Sequence, residues 1–335
     1  MSLSYQAVIH NSRQLKCCNK LSQQTLIFHD TELCCPHCDK PVKVPRFGPS
    51  RVSVLEVPEF CPRCFYLLIN LRFKKPFDFG TPYVMQLLDK HQKRLAAFAL
   101  GHDGQVPKFF GPLFKDAIAV RPVDWLSCYH PDTHVQLFGY PDLVLDFEDD
   151  TSGIIDDKTA LVKGEDSPLY HMYRAQTNLY KYMSEHGPTP RKISQLGLLY
   201  YEFSDLSDEE MEDSYNDYDV WMKFSPRLVA VDGSGSDELV DTLLKRLRWF
   251  LDLREPPEAK KGCGDCAIIE EYKSKLADYI QPNQLAFADR REYERAVLRW
   301  SYKMADGDHT GQLVNALRNS AASEYGVLAN WNWSE

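Results

Sequence analysis

Three side chains in one short stretch are of the types that hold and use a hard metal ion: Asp142, Asp156 and Lys158. They lie in Gly139-Tyr140-Pro141-Asp142-Leu143-Val144-Leu145-Asp146 and in Gly153-Ile154-Ile155-Asp156-Asp157-Lys158-Thr159. Both are aliphatic runs bounded by Gly, Pro and Asp, a pattern that predicts two β-strands joined by a turn from Phe147 to Ser152. Successive side chains of a strand point to opposite faces, so Asp156 and Lys158 share a face and Asp157 turns away. If the strands pair, Asp142 brings a second carboxylate to the same edge. Two hard oxygen ligands with an ammonium beside them suit Mg²⁺ or Mn²⁺, because Mg²⁺ takes one or two carboxylates and keeps several waters. The competing reading is a charged hairpin without a metal, since acid-x-Lys triplets recur by chance in a chain that is 26% charged.

The element that must support this hairpin follows it. Ser167-Pro168 predicts a helix start, with Pro at the first turn, and the helix runs through Tyr170, Tyr173, Gln176 and Tyr180 to Gly187. Gln176 and Tyr180 stand one turn apart. Pro141-Asp142, then Asp156-Asp157-Lys158, then Gln176-x-x-x-Tyr180 resembles the PD-(D/E)xK signature of the restriction-endonuclease-like nucleases, in the order found in the RecB-like branch that includes lambda exonuclease and the CRISPR-associated RecB-like exonucleases. The resemblance implies an α/β fold with a mixed central sheet flanked by helices. It also implies metal-dependent hydrolysis of phosphodiester bonds in single- or double-stranded DNA, in DNA-end processing, repair or defence, often inside a larger protein assembly. By the same resemblance, Asp142 and Asp156 bind one or two Mg²⁺ or Mn²⁺ ions, and the Asp157 backbone carbonyl completes the metal shell. Lys158 then stands beside the attacking water, and Gln176 and Tyr180 position substrate. Such nucleases place a further ligand on the helix before the sheet. Here that helix is predicted over 81–100, with Val84, Leu87, Leu88, His91, Leu95 and Phe98 on its apolar stripe, and Asp89 or His91 is the candidate.

Ten cysteines in a chain with no secretory signal and no apolar run of about 18 residues read as metal ligands in a reducing, cytoplasmic setting rather than as disulfides. Phe60-Cys61-Pro62-Arg63-Cys64-Phe65-Tyr66 resembles the opening of RecB-like nucleases, where a Cys-Pro-Arg segment leads into an aromatic-rich helix. Iron-sulfur members of that branch hold a 4Fe-4S cluster with one such cysteine and three from the C-terminal region. This chain offers two and two, Cys61 and Cys64 with Cys263 and Cys266, and four thiolates serve either a 4Fe-4S cluster or Zn²⁺. Cys35-Pro36-His37-Cys38 has the form of a zinc knuckle, and Cys17, Cys18 and Cys34, with His29 as an alternative, are the candidates for the other ligands of a second Zn²⁺ site in residues 1–50. A competing wiring joins Cys35 and Cys38 to Cys61 and Cys64 as one zinc ribbon. Cys128 stands apart as an ordinary thiol.

With 335 residues, 44% of them hydrophobic, the chain can bury a substantial core. The expected organisation is a cysteine-rich appendage over 1–50, a nuclease core with its cysteine tetrad over 51–280, and a helical extension over 281–335 that ends in Trp331-Asn332-Trp333. A net charge of −9 argues against coating nucleic acid with a basic surface, although Lys40 to Arg51, Arg72 to Lys75 and Lys245 to Arg248 are candidate phosphate contacts. The acidic run within Ser204 to Asp219 reads as a solvated loop. Strands are expected from Ile118 to Val123, Ile193 to Phe203 and Val220 to Asp232, and an amphipathic helix from Asp237 to Leu253. Two other functional classes fit part of the pattern. One is a catalytically inactive nuclease-fold module that binds DNA or acts as a scaffold, and the other is a zinc-ribbon nucleic-acid adaptor. Retention of Asp142, Asp156 and Lys158 favours catalysis over the first, and dependence of binding on residues 1–50 would mark the second.

Overall fold

A computed structural model describes residues 27–29, 32–34, 44–58, 60–71, 83–122, 125–159, 167–204, 207–216, 223–253 and 255–277. Cys17, Cys18, Cys35 and Cys38, and the extension over 281–335, lie outside them. The chain divides into two compact units, one of residues 1–59 and 81–248, the other of residues 60–80 and 249–335.

In the first unit, β1 (Ile27–His29) and β2 (Glu32–Cys34) form an antiparallel pair. Strand β3 (Arg46–Phe47) leads into the short helix α1 (Pro49–Val52). Phe47 and Val52 are both buried. Helix α3 (Tyr83–Asp103) is followed by β4 (Ala117–Arg121), β5 (Leu126–His130) and β6 (Val135–Gly139). Then come β7 (Leu143–Phe147), β8 (Ser152–Lys158), α4 (Pro168–His186) and β9 (Ile193–Ser204). The unit closes with α5 (Asp208–Asn216), β10 (Lys223–Ala230) and the greater part of α6 (Ser236–Asp252). The second unit contains α2 (Pro62–Leu71), the end of α6 and α7 (Gly264–Ala277). No described helix is long and apolar enough to cross a membrane.

The main sheet has five strands in the order β10-β9-β8-β7-β4, with β8 and β9 parallel and the other neighbours antiparallel. This is the mixed sheet expected from the sequence. A second sheet, β3-β6-β5, carries the segment that enters β7. Because one face of β8 packs on the Phe110–Phe114 core and the other on α4, both faces are covered, which accounts for consecutive buried Ile154 and Ile155 where a surface strand would alternate. Leu143, Leu145, Ile155, Leu199 and Tyr201 pack on one face with Phe110, Phe114 and Ala96. The other face of β8 and β9 meets α4, whose Ala175, Leu179 and Met183 are buried. Glycine is required at Gly153 because a Cβ there would run into the Phe114 ring, which also closes on Gly197.

Two expectations differ from the structure. The apolar stripe predicts Leu95 and Phe98 on the inward side of α3, yet they are exposed, as is His91, and it is Ala96 that is fully buried in the core with Leu100 packed beside it. The inward face includes a small residue, so hydrophobicity alone misplaced the stripe. The acidic run, read as a loop, contains α5. Ser207 and Glu210 form a reciprocal capping box, the Ser207 amide donating to Glu210 Oε2 at 2.8 Å and the Glu210 amide donating to Ser207 Oγ at 3.2 Å.

Candidate active site

Strand alternation and the β7–β8 ladder build the site. Leu143 pairs with Ile155 across the ladder, and both face the Phe114 core. Asp142 and Asp156, one residue away from each, are thereby set against the α4 side of the sheet. The Asp142 carboxylate is fixed by the backbone, its Oδ2 accepting the Asp157 N–H at 2.9 Å. Asp156 is 1% exposed, and its Oδ1 accepts a hydrogen bond from Gln176 Nε2 at 3.1 Å. Lys158, two residues further along the same face, ion-pairs with Asp156 Oδ2 and donates to Gln176 Oε1 at 3.5 Å. Its ammonium also lies 4.8 Å from the centre of the Tyr173 ring, a cation–π contact. Tyr180, one turn beyond Gln176, is buried against Gly139, where a Cβ would stand 3.1 Å from Pro49 and 3.4 Å from the Tyr180 ring.

Burial pushes the Asp156 carboxyl up to about 7, against the pull of the Lys158 ammonium and with a further push from the Asp142 carboxylate. The hydroxyl of Tyr180 is raised first by burial and then by the Asp156 and Asp142 charges, and that of Tyr173 is raised by burial against the pull of the Lys158 ammonium. Two carboxylates thus share one ammonium in a buried setting. That charge imbalance and the all-oxygen ligand set fit a divalent cation.

The structure brings together Asp142, Asp156, Lys158, Gln176 and Tyr180. Asp157 contributes its amide to Asp142, while its side chain lies on the opposite face near Tyr201. His91 is exposed on α3, and the side chain of Asp89 is outside the described residues. Ser167 occupies the N-cap position of α4, but its side chain makes no capping hydrogen bond. Of the basic clusters, Arg246 is engaged with the Leu55 carbonyl at 2.8 Å and Lys245 with Asp241 at 2.6 Å, so both have structural partners.

In the second unit, Cys61, Cys64, Cys263 and Cys266 converge, their sulfurs all within 4.8 Å of one another. These are the four cysteines of the long-range tetrad, while Cys35 and Cys38 of the competing ribbon lie outside the described residues. Burial works to raise Cys61, but hydrogen bonds from the Cys64 and Lys260 backbones outweigh it and bring the thiol to about 7. Burial lifts Cys266 to about 12 and Cys64 further still.

A profile of the PD-(D/E)XK nuclease superfamily matches residues 78–270, more than half of the chain. The chain belongs to that superfamily. Its match spans β7, which Asp142 directly precedes, the strand that carries Asp156 and Lys158, and the helix that carries Gln176. Among solved structures, an alkaline exonuclease from Laribacter hongkongensis is similar at 15% identity and a TM-score of 0.33, covering 70% of this chain and 94% of that one. The protein SSO0001 is similar at 13% identity and a TM-score of 0.32, covering 75% of this chain and 92% of that one. No curated protein matches the sequence.

An aromatic cluster that no local pattern announces stands near the site. Trp125, Phe138 and Tyr140 gather at the open end of the β5–β6 hairpin, two residues before Asp142. Trp125 stacks on Phe138 at 5.1 Å and meets Tyr140 edge-on at 4.6 Å. The Arg46 guanidinium lies 4.9 Å over the Phe138 ring. Trp125 and Tyr140 are 38% and 52% exposed. The signal was present in their sequence positions flanking the hairpin, but their meeting depends on the β5–β6 register, which pairs Leu126 with Gly139.

Proposed function

We propose that this protein is a Mg²⁺- or Mn²⁺-dependent deoxyribonuclease of the RecB-like type, acting on DNA ends in repair or defence, in the cytoplasm and as part of a larger assembly. The observation that carries the reading is the buried network of Asp142, Asp156, Lys158 and Gln176, drawn from two strands and a helix inside the region matched to the nuclease superfamily. Asp142 and Asp156 would hold the cation, with the Asp157 carbonyl as a further ligand. Such an ion supplies Lewis-acid polarisation of a phosphoryl oxygen.

The protein's own groups account for the rest. Gln176 holds Asp156 by its amide N–H and receives Lys158 on its carbonyl, so one side chain sets the spacing of acid and ammonium. The Asp157 amide orients Asp142 in the same way. The Lys158 ammonium is placed to orient an attacking water and to stabilise negative charge that develops on the phosphate. The α4 helix and the β-sheet exclude bulk water from Asp156, which strengthens these interactions. Trp125 and Tyr140 offer ring faces on which unpaired bases can stack next to the site, with Arg46 nearby for phosphate.

The test is digestion of end-labelled single- and double-stranded DNA with and without Mg²⁺ or Mn²⁺, using the wild type, Asp156→Ala and Lys158→Ala. Metal-dependent cleavage by the wild type alone supports the proposal, and equal activity in all three refutes it.

A further inference from the structure

The four-cysteine cluster of the second unit discriminates between the two kinds of metal centre that four thiolates can serve. Cys61 Sγ lies 3.6 Å from Cys266 Sγ, and Cys64 Sγ lies 3.5 Å from Cys263 Sγ and 3.4 Å from Cys266 Sγ. No pair of the four sulfurs is further apart than 4.8 Å. In a tetrahedral zinc site with Zn–S bonds of 2.3 Å, the edge of the sulfur tetrahedron is about 3.8 Å. In a 4Fe-4S cluster each thiolate binds a different iron at a corner of a cube, and the ligand sulfurs stand on the order of 6 Å apart. The cluster's cavity is therefore of the size for one ion, and a cube does not fit within it.

The surrounding chain is built in the same sense. Cys61 and Cys263 each occupy the residue before a helix, and their carbonyls accept the first helical hydrogen bonds, from Phe65 at 3.1 Å and from Ala267 at 3.0 Å. Cys64 and Cys266 follow in the first turns of α2 and α7. Two helix N-termini thus point their positive ends at one group of cysteines, which offsets the net negative charge of a tetrathiolate ion. The Lys260 amide approaches Cys61 Sγ at 3.3 Å, the kind of outer contact that orients a ligand. Gly262, with a positive φ of 77°, makes the turn that brings Cys263 back to the cluster. Arg63 and Glu270 pair at 2.9 Å between the same two helices.

We infer that Cys61, Cys64, Cys263 and Cys266 form a closed structural zinc site, and not the seat of an iron-sulfur cluster. All four positions of the ion are filled by protein thiolates, so it takes no substrate and does no redox chemistry. Its role is to join α2, near the start of the chain, to α7, some two hundred residues later, in one folded unit. The inference holds whether or not the chain cleaves DNA.

The full chain, produced with both zinc and iron supplied and purified without oxygen, is assayed for zinc, iron and acid-labile sulfide beside the double variant Cys61→Ser/Cys263→Ser. The expected result is that the variant lacks about one zinc per chain that the wild type holds, a difference that any zinc bound elsewhere does not affect. Iron and labile sulfide should be absent from both, as should the broad absorbance near about 400 nm expected of a cluster. Iron and sulfide in the wild type that the variant loses, or an unchanged zinc content in the variant, overturns the inference. Should the variant prove insoluble, X-ray absorption of the wild type decides. A zinc shell of sulfurs at about 2.3 Å supports the site, whereas an iron edge showing iron–iron neighbours, or no zinc signal, overturns it.

Discussion

Replacing Asp156 with asparagine should make the magnesium-free protein more stable at pH 8 while ending its catalysis. The folded chain holds the Asp156 proton up to about 7, against an ordinary value of 3.8, because the carboxyl is buried beside a second acid. Between these values the folded state keeps a proton that the unfolded state has released. Stability therefore falls as pH rises from about 4 to about 7, and the loss is complete above that range. Three units at about 1.4 kcal/mol each set an upper bound of about 4 kcal/mol on this penalty. An asparagine removes the penalty but leaves the Lys158 ammonium without its ion-pair partner, so the expected net gain at pH 8 is about 1–3 kcal/mol, shrinking towards pH 4. The assay is urea denaturation followed by tryptophan fluorescence at pH 8 and pH 5, with and without Mg²⁺. Magnesium at about 100 times its dissociation constant should stabilise the wild type by about 2.7 kcal/mol and the variant by much less. A variant less stable than the wild type at pH 8 without magnesium, or stabilised equally by it, would refute the reasoning.

Other changes separate scaffold from site. Gly153→Ala drives a methyl into the Phe114 ring between two covered faces of the sheet and should lower stability by about 1–3 kcal/mol in the same denaturation assay. Asp146 is held below the ordinary carboxylate range, because hydrogen bonds from Arg121 and Ser152 and the charges of Arg121 and Arg191 outweigh the opposing effect of burial. Its contribution is present above the unfolded value and is lost as pH falls through the folded one, so Asp146→Asn should destabilise by about 1–3 kcal/mol at neutral pH and by much less near pH 2. Trp125→Ala with Tyr140→Ala should weaken single-stranded DNA binding by about 1–3 kcal/mol per unstacked base, read by fluorescence titration, with duplex binding little changed. An equal loss for both substrates would argue against stacking.

Much of the site's neighbourhood was legible without coordinates. The alternation of β7 and β8, the turn between them, and the Pro168 start and Gly187 end of α4 are short-range signals, and each element formed within a few residues of its expected place. The capping box of α5 is equally local: the Ser207-x-x-Glu210 spacing marks a helix start inside a run whose charge alone suggests a loop. The inward face of α3 was not legible in this way. A helix stripe reads as hydrophobic by composition, but which residue faces the core depends on what packs there, and Ala96 occupies that place while Phe98 stays exposed.

The sequence by itself determined the chemical types at the centre: two acids and a lysine at strand spacing, a glutamine and a tyrosine one helical turn apart, and two Cys-x-x-Cys pairs. It did so because alternation and helical period act over a few residues. Only the tertiary structure decided that α4 covers the face of β8 that carries Asp156, which buries the carboxyl and raises its affinity for a proton. It also decided that Gln176 reaches both Asp156 and Lys158, that Trp125 meets Tyr140, and that four cysteine sulfurs close to within 4.8 Å. These depend on strand order and on contacts between residues tens to hundreds of positions apart, and no local pattern encodes the distance between them.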